Sequence, residues 1–284
     1  MTKDTKNSIL FITTAFPPDN AIGAVRMSKF VKYLVRGGNH ITLVTPVYDE
    51  YLTKDEFLTC EEFDKIEHIL IPQSNLFNKL VKSHRQQVMK GKVGTNLVTA
   101  GNMFSKENYI KTWFFRYARL IYILIRNYDW MIKVSSYLIK HVKIDKYSVI
   151  FSSYPSLGAM WAAAQVKKRS KHARWIADFR DPLNYIKFNT PSSNYILTLI
   201  QKNLIKKADI VTTISSGVGS MLGPLTSGKL EILTNGFDPD DFLELKKRNK
   251  AETEPPIISF CYAGGLAGGE RDLTELFKAI KLQI

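Results

Sequence analysis

The sequence predicts a doubly wound α/β fold, a parallel sheet with helices on both faces, and three observations predict it. A β-α-β unit opens the chain, strand-length apolar runs then alternate with helix-length stretches, and a strand, a glycine turn and a helix close it. Taken in order, Ile9 to Ile12 is a continuous apolar run of the kind that fills a buried parallel strand. The loop Phe16 to Gly23 leads into a helical pattern from Val25 to Val35, which Gly37-Gly38 breaks, and Ile41 to Thr45 is the second strand. Further strands are expected at Ile69–Ile71, Val149–Phe151, Trp175–Ala177, Ile210–Ile214 and Leu230–Leu233. Helices are expected near Leu157–Arg169 and Ser193–Lys207.

Residues 79–146 interrupt that rhythm as an insert. A polar, glycine-dotted part, Lys90 to Gly101, precedes a long helical pattern from about Lys106. Arg119, Arg126, Lys133 and Lys140 recur every seven residues, which keeps them on one helix face. Ile121, Leu124, Ile125, Trp130, Met131 and Leu138 lie elsewhere on the wheel, toward a core or a lipid surface. No uncharged apolar run there is long enough to span a bilayer. The resulting division is a first domain over 1–237 with the insert at about 79–146, a linker over 238–256 ending in Pro255-Pro256, and a first β-α unit of a second domain over 257–284. Ile257 to Ala263 is its expected strand, and Asp272 to Lys281 its expected helix. A single unit cannot bury its own apolar faces, so the second domain is expected to be incomplete.

At 284 residues and 45% hydrophobic, the composition is that of a globular protein. Cys60 and Cys261 are the only cysteines, which suggests neither a disulfide framework nor a cysteine metal site and fits a reducing cytoplasm. The polar start, Met1 to Ser8, runs into the first strand and does not read as a signal peptide. Net charge is +14 and unevenly placed. Lys/Arg against Asp/Glu number 8 to 10 over residues 1–78, 14 to 3 over 79–146 and 18 to 13 over 147–284. The basic, aromatic-rich insert therefore faces something anionic, and a membrane surface is preferred because no nucleic-acid motif accompanies the charge.

Candidate site residues follow the strands, where α/β sheets bind ligands. The loop Phe16 to Arg26 follows the first strand; its backbone amides and Arg26 suit a phosphate or sugar hydroxyls, although a purely structural turn is as good a reading. It is not the G-x-G-x-x-G fingerprint, so a dehydrogenase is not indicated. In Trp175 to Pro182, a strand ends in Asp178, Arg180 and Asp181. Asp178 and Arg180 share a face and form an ion pair on the commoner reading, whereas Asp181 at the strand exit is the better substrate contact. Ser152-Ser153-Tyr154-Pro155 ends another strand and offers hydroxyls to a ligand, or merely caps the helix beginning near Leu157. Asn235-Gly236 suits a tight turn. The five histidines show no metal-ligand spacing and no catalytic triad order.

Together these pieces resemble the retaining glycosyltransferases of family four, which have the two-domain GT-B fold of paired Rossmann-like domains and act in bacterial capsule, exopolysaccharide or O-antigen synthesis. FPPDNAIGAVR, GGNHITLVTP, SSYPS, WIADFRDP, ADIVTTIS, LTNGFDPDDF and FCYAGGLAGGERDLTELFKAI carry the resemblance, in family order, everywhere except the basic insert. It implies an acceptor-binding first domain and a second domain that binds a nucleotide-diphosphate sugar, with no metal and no further cofactor. Gly23, Arg26, Ser153, Asp178, Arg180 and Asn235 would line the acceptor side, Asp181 would act at the reacting sugar, and Gly264, Gly265 and Arg271 would begin the donor pyrophosphate site. An arginine beside a glycine turn suits a pyrophosphate. The family's histidine after the Ser-Ser-x-Pro segment is absent, since Ser156-Leu157-Gly158-Ala159 stands there. The expected partners are a nucleotide sugar, a lipid-linked or other glycan acceptor and an anionic membrane surface met by the basic helix over 106–146. The expected location is the cytoplasmic face of the plasma membrane. An alternative expectation is a non-catalytic acceptor or membrane-binding subunit that docks a separate chain carrying the donor domain.

Overall fold

A computed structural model of the chain describes residues 6–19, 22–48, 59–74, 109–184, 190–226, 228–242 and 273–281. The chain divides into two compact units, Met1–Asn78 with Trp113–Phe237, and Lys79–Thr112 with Asp238–Ile284.

In the first unit seven strands form one sheet in which every neighbouring pair is parallel. They are β1 (Ser8–Ile12), β2 (His40–Pro46), β3 (Glu67–Ile71), β4 (Val149–Tyr154), β5 (Arg174–Phe179), β6 (Ile210–Thr213) and β7 (Leu230–Ile232). Their order, β3-β2-β1-β4-β5-β6-β7, reverses direction between β1 and β4. This is the Rossmann-like, doubly wound arrangement, and every apolar run read as a strand in the first domain lies in it. The central strands are buried on both faces, which is why they read as unbroken apolar runs rather than alternating ones.

The helices are α1 (Ile22–Arg36), α2 (Tyr109–His141), α3 (Leu157–Lys167), α4 (Pro191–Lys207) and α5 (Ser216–Leu222). Helix α1 places Met27 and Val31 against Phe11, Ile41, Leu43 and Phe151 on one side of the sheet. It ends where Gly38, at φ +79°, takes the left-handed conformation that stops a helix cheaply only at glycine. The other side is covered by α2 through α5, whose Leu120, Val134, Met160, Leu197, Leu204 and Leu222 pack with Leu10, Ile12, Ile150 and Val211. Helix α3 is rich in alanine and buried nearly all round. Ser156 caps it by accepting a hydrogen bond from the Ala159 amide at 3.2 Å. Helix α2 runs for 33 residues, and the Trp130 indole donates to the Ile71 carbonyl at the end of β3. It also touches α3, because Asn127 accepts from the Gly158 amide at 2.8 Å, and a Cβ on Gly158 would stand 2.9 Å from the Asn127 carbonyl oxygen.

Two sequence readings differ from the structure. Helix α5 was not expected, since Ser216-Gly217-Val218-Gly219 carries two glycines. Ser215 caps it, and Gly219 lets it pack against Leu230, to whose Cδ2 a Cβ there would come within 2.8 Å. Asn235-Gly236 makes no tight turn; the chain leaves β7 through irregular backbone.

In the second unit α6 (Thr274–Lys281) forms the helix expected near the C-terminus, with Lys278 bonded to Glu275 at 2.8 Å. The expected strand at 257–263, the glycine turn with Gly264 and Gly265, and Arg271 lie outside the described residues.

Candidate functional site

The strand register assembles a polar rung at the carboxyl end of the sheet. Ser153 of β4 stands beside Asp178 of β5, and Asp178 stands beside Thr212 of β6. Each lies two residues beyond an apolar residue, Phe151, Ile176 and Ile210, so all three share the sheet face that α1 covers. The Asp178 carboxylate is wholly buried. It accepts from the Ser153 hydroxyl at 2.8 Å, from the Thr212 hydroxyl at 2.8 Å and from Arg26 Nη2 at 3.3 Å. A buried charge is tolerable only when paired and hydrogen-bonded in this way.

Arg26 comes to that carboxylate from the first turns of α1 and is itself buried. Its Nη1 donates to Asn235 Oδ1 at 2.7 Å and to the Thr234 carbonyl at 3.2 Å, and its Nη2 donates to the Leu233 carbonyl at 2.9 Å. The Phe30 ring lies 4.5 Å from its Cζ. One guanidinium thus ties α1, β5 and the segment after β7 together. Of the sequence-derived candidates, the structure joins Arg26, Ser153, Asp178 and Asn235 into a single hydrogen-bonded network.

Gly23 and Arg180 sit beside it. A Cβ on Gly23 would lie 3.1 Å from Arg180 Nη2, 3.2 Å from Arg180 Nη1 and 3.2 Å from the Ala15 Cβ. The absence of a side chain at the start of α1 is therefore what lets the guanidinium lie against it. Arg180 Nε donates to the Tyr154 carbonyl at 3.1 Å. Burial lowers the pKa of Arg180, while the nearby Asp178 and Asp181 carboxylates oppose that shift. The ion pair that the sequence offered between Asp178 and Arg180 is made by Asp178 with Arg26 instead.

Asp181 is exposed at the strand exit. Its charge reaches Tyr154, whose phenol is pushed up to about 12, chiefly by burial and secondarily by that carboxylate. Tyr154 lies in the strand end already read as offering hydroxyls, whereas Thr212 in the buried rung is a residue the sequence reading passed over. A signal for Thr212 existed in the two-residue parity that also carries Asp178. The peptide bonds Pro17-Pro18 and Tyr154-Pro155, in the loops after β1 and β4, are cis.

Gly23, Arg26, Tyr154, Arg180 and Asp181 thus lie at or just beyond the carboxyl ends of β1, β4 and β5. The crevice beside the β1/β4 reversal is where open α/β sheets take ligands. A half-buried cation, Arg180, next to an exposed carboxylate, Asp181, suits a polar, multiply hydroxylated or anionic ligand. Among the described residues no group of three or more His, Cys, Asp or Glu is placed to hold a metal ion.

No family model matches the chain, and no curated protein matches it. Among solved structures it is similar to the apo structure of OtsA, with 11% identity and a TM-score of 0.41 over 89% of this chain and 53% of that one. The chain spans about half the length of that protein. A likeness of this strength adds nothing to the fold described above.

Proposed function

We propose that this chain is a glycosyltransferase of bacterial surface polysaccharide synthesis. It moves a sugar from a nucleotide-diphosphate sugar to a lipid-linked glycan, with the crevice at the carboxyl ends of β1, β4 and β5 as the acceptor side. The reading starts from the ordered family-four motifs. The observation that carries it to particular atoms is the approach of Arg180 to Gly23 at the β1/β4 reversal, with Asp181 beside it. In the reaction the acceptor hydroxyl oxygen bonds the anomeric carbon as the bond from that carbon to the diphosphate oxygen breaks. The nucleoside diphosphate leaves and takes up the hydroxyl proton.

In this reading Arg180 holds an anionic or hydroxyl group of the acceptor, and Asp181 accepts a hydrogen bond from a sugar or acceptor hydroxyl at the reacting centre. Gly23 keeps the space that Arg180 occupies. Arg26, Ser153, Asp178 and Asn235 fix the wall behind them. Gly264, Gly265 and Arg271 are proposed, on the resemblance alone, to begin the donor pyrophosphate site, and no metal is required. The protein would work as a peripheral protein on the cytoplasmic face of the plasma membrane.

The test is isothermal titration of the purified chain with nucleoside diphosphates and nucleotide sugars, followed by a transfer assay with lipid-linked glycans. The expected result is saturable binding of one nucleotide and transfer that Arg180→Ala and Asp181→Asn each lower about 10- to 100-fold while folding stability falls by no more than about 1 kcal/mol. A chain that binds no nucleotide and transfers no sugar would overturn the reading.

A further inference from the structure

We infer that the outward faces of α2 and α4 form a docking surface for an anionic lipid bilayer. Ile121, Ile125, Tyr128, Ile132 and Ile139 follow one another along α2 at spacings of four, three, four and seven, which places them on a single helix face. Ile121, Ile125 and Tyr128 are 53–54% exposed, and Ile132 and Ile139 are 46% and 40% exposed. Leu120, Trp130, Met131, Val134 and Leu138 take the inward side, so the core leaves this second apolar ridge uncovered. A helix packed on a sheet normally turns polar residues outward. Here the outward ridge is isoleucine.

The ridge does not stand alone. The hydroxyls of Tyr117 on α2 and Ser192 at the start of α4 are hydrogen-bonded, so these two helices are neighbours. Helix α4 exposes Tyr195, Ile196 and Leu199. Between them, on α3, Trp161 meets Tyr128 edge-on with ring centroids 6.2 Å apart. Tyrosine and tryptophan with one apolar and one wet side are suited to the level of lipid headgroups.

Charge selects the occupant. Across its 33 residues α2 carries six Lys/Arg and one acid, Asp129, while α4 carries three lysines and no acid. Arg126, Lys133 and Lys140 repeat every seven residues along a stripe about 100° around α2 from the isoleucine ridge. Only Lys133 of these three is drawn to Asp129, at 3.4 Å. Adjacent apolar and cationic stripes fit an interface where acyl chains lie beside anionic headgroups. A nucleic acid would leave the isoleucines in water. Among the described residues no helix is long and apolar enough to cross a membrane, so the surface lies on the bilayer.

This inference deepens the peripheral-membrane part of the proposed function and rests on it, but its test needs neither nucleotide nor acceptor. The full chain is sedimented with vesicles of phosphatidylglycerol in phosphatidylcholine and, separately, of phosphatidylcholine alone. Binding is expected to the anionic vesicles, weakened by salt and at least about tenfold weaker to the neutral ones. The triple variant Ile121→Ser, Ile125→Ser, Ile132→Ser, at surface positions, is expected to lose about tenfold or more in partitioning with an unchanged circular dichroism melt. Arg126→Gln with Lys140→Gln is expected to lower binding to anionic vesicles alone. Failure to sediment with anionic vesicles, or a triple variant that binds like the parent, overturns the inference. So does a concentration-dependent dimer that the triple substitution abolishes, since a second copy would then cover the ridge. Nucleotide titration of the same samples separates this outcome from failure of the transferase reading.

Discussion

Arg26 and Arg180 both lie at the carboxyl end of the sheet, and their surroundings are opposite. Arg26 is buried against Asp178, with donors directed to two backbone carbonyls and to Asn235. Arg180 is only half-buried and gives its Nε to one carbonyl, while its Nη atoms rest against Gly23. The aspartates divide the same way, since Asp178 is wholly enclosed and Asp181, three residues on, is exposed. The comparison teaches that residue type did not decide the role. The inner pair holds α1, β5 and the exit of β7 in place, whereas the outer pair stays partly or fully exposed at the end of β5.

The sharpest way to break this comparison is at the inner pair. Asp178→Ala removes the only carboxylate bonded to Arg26 among the described residues and strands two hydroxyls. A buried charge left unpaired typically costs about 3–5 kcal/mol. Urea unfolding is expected to show a loss of that size, with transfer lost as a consequence of misfolding. A loss below about 1 kcal/mol would mean that the network is not what holds this end of the sheet.

Next in size is a contact far from the crevice. Gly158→Ala places a Cβ 2.9 Å from a backbone carbonyl oxygen and 3.1 Å from the Trp130 ring, neither of which is a flexible side-chain end. Forcing α2 and α3 apart is expected to cost about 1–3 kcal/mol, read by thermal unfolding. The corresponding change at the rim behaves differently. Gly23→Ala meets the side-chain end of Arg180 at 3.1 Å and the Ala15 Cβ at 3.2 Å, so stability should fall by about 1 kcal/mol while the guanidinium is displaced. Arg180→Ala removes one neutral-carbonyl bond, worth about 1 kcal/mol of folding. Loss of a charge-assisted contact with the acceptor is expected to lower transfer about 10- to 100-fold. Equal damage to stability by Arg180→Ala and Asp178→Ala would erase the distinction between inner and outer pairs.

Most of the fold was legible because its cues are local. Parallel strands buried on both faces are unbroken apolar runs, and Gly37-Gly38 marks the end of α1 by backbone chemistry. Helix α5 was hidden because two glycines in its first turn lower helix propensity, and close packing of Gly219 on Leu230 overrides that preference. The site was legible as a set of residues but not as a division of labour. Arg26 and Asn235 are 209 residues apart, and nothing local says that one donates to the other. The sequence reading put Ile121 and Ile125 in one set with Trp130, Met131 and Leu138, and only burial separates the outward isoleucines from the residues the core takes.

The smallest expected effect tests the comparison from the other end of α1. Arg36 donates Nε to Glu62 at 2.5 Å, a shorter ion pair than the one Arg26 makes with Asp178. Yet Arg36 is 42% exposed, so solvent and salt screen the pair, and it is worth under about 1 kcal/mol. Hydrogen bonding from Arg36 is the largest cause holding the Glu62 carboxyl down from 4.5 to about 2. A carboxyl depressed on folding stabilises above its ordinary range and loses that stabilisation as pH falls from about 4.5 toward 2. Melting temperatures of the parent and Glu62→Gln should therefore differ slightly at neutral pH and converge through that acid window. A difference that persists at pH 2, or one as large as that of Asp178→Ala, would show that distance rather than burial sets the strength of these pairs.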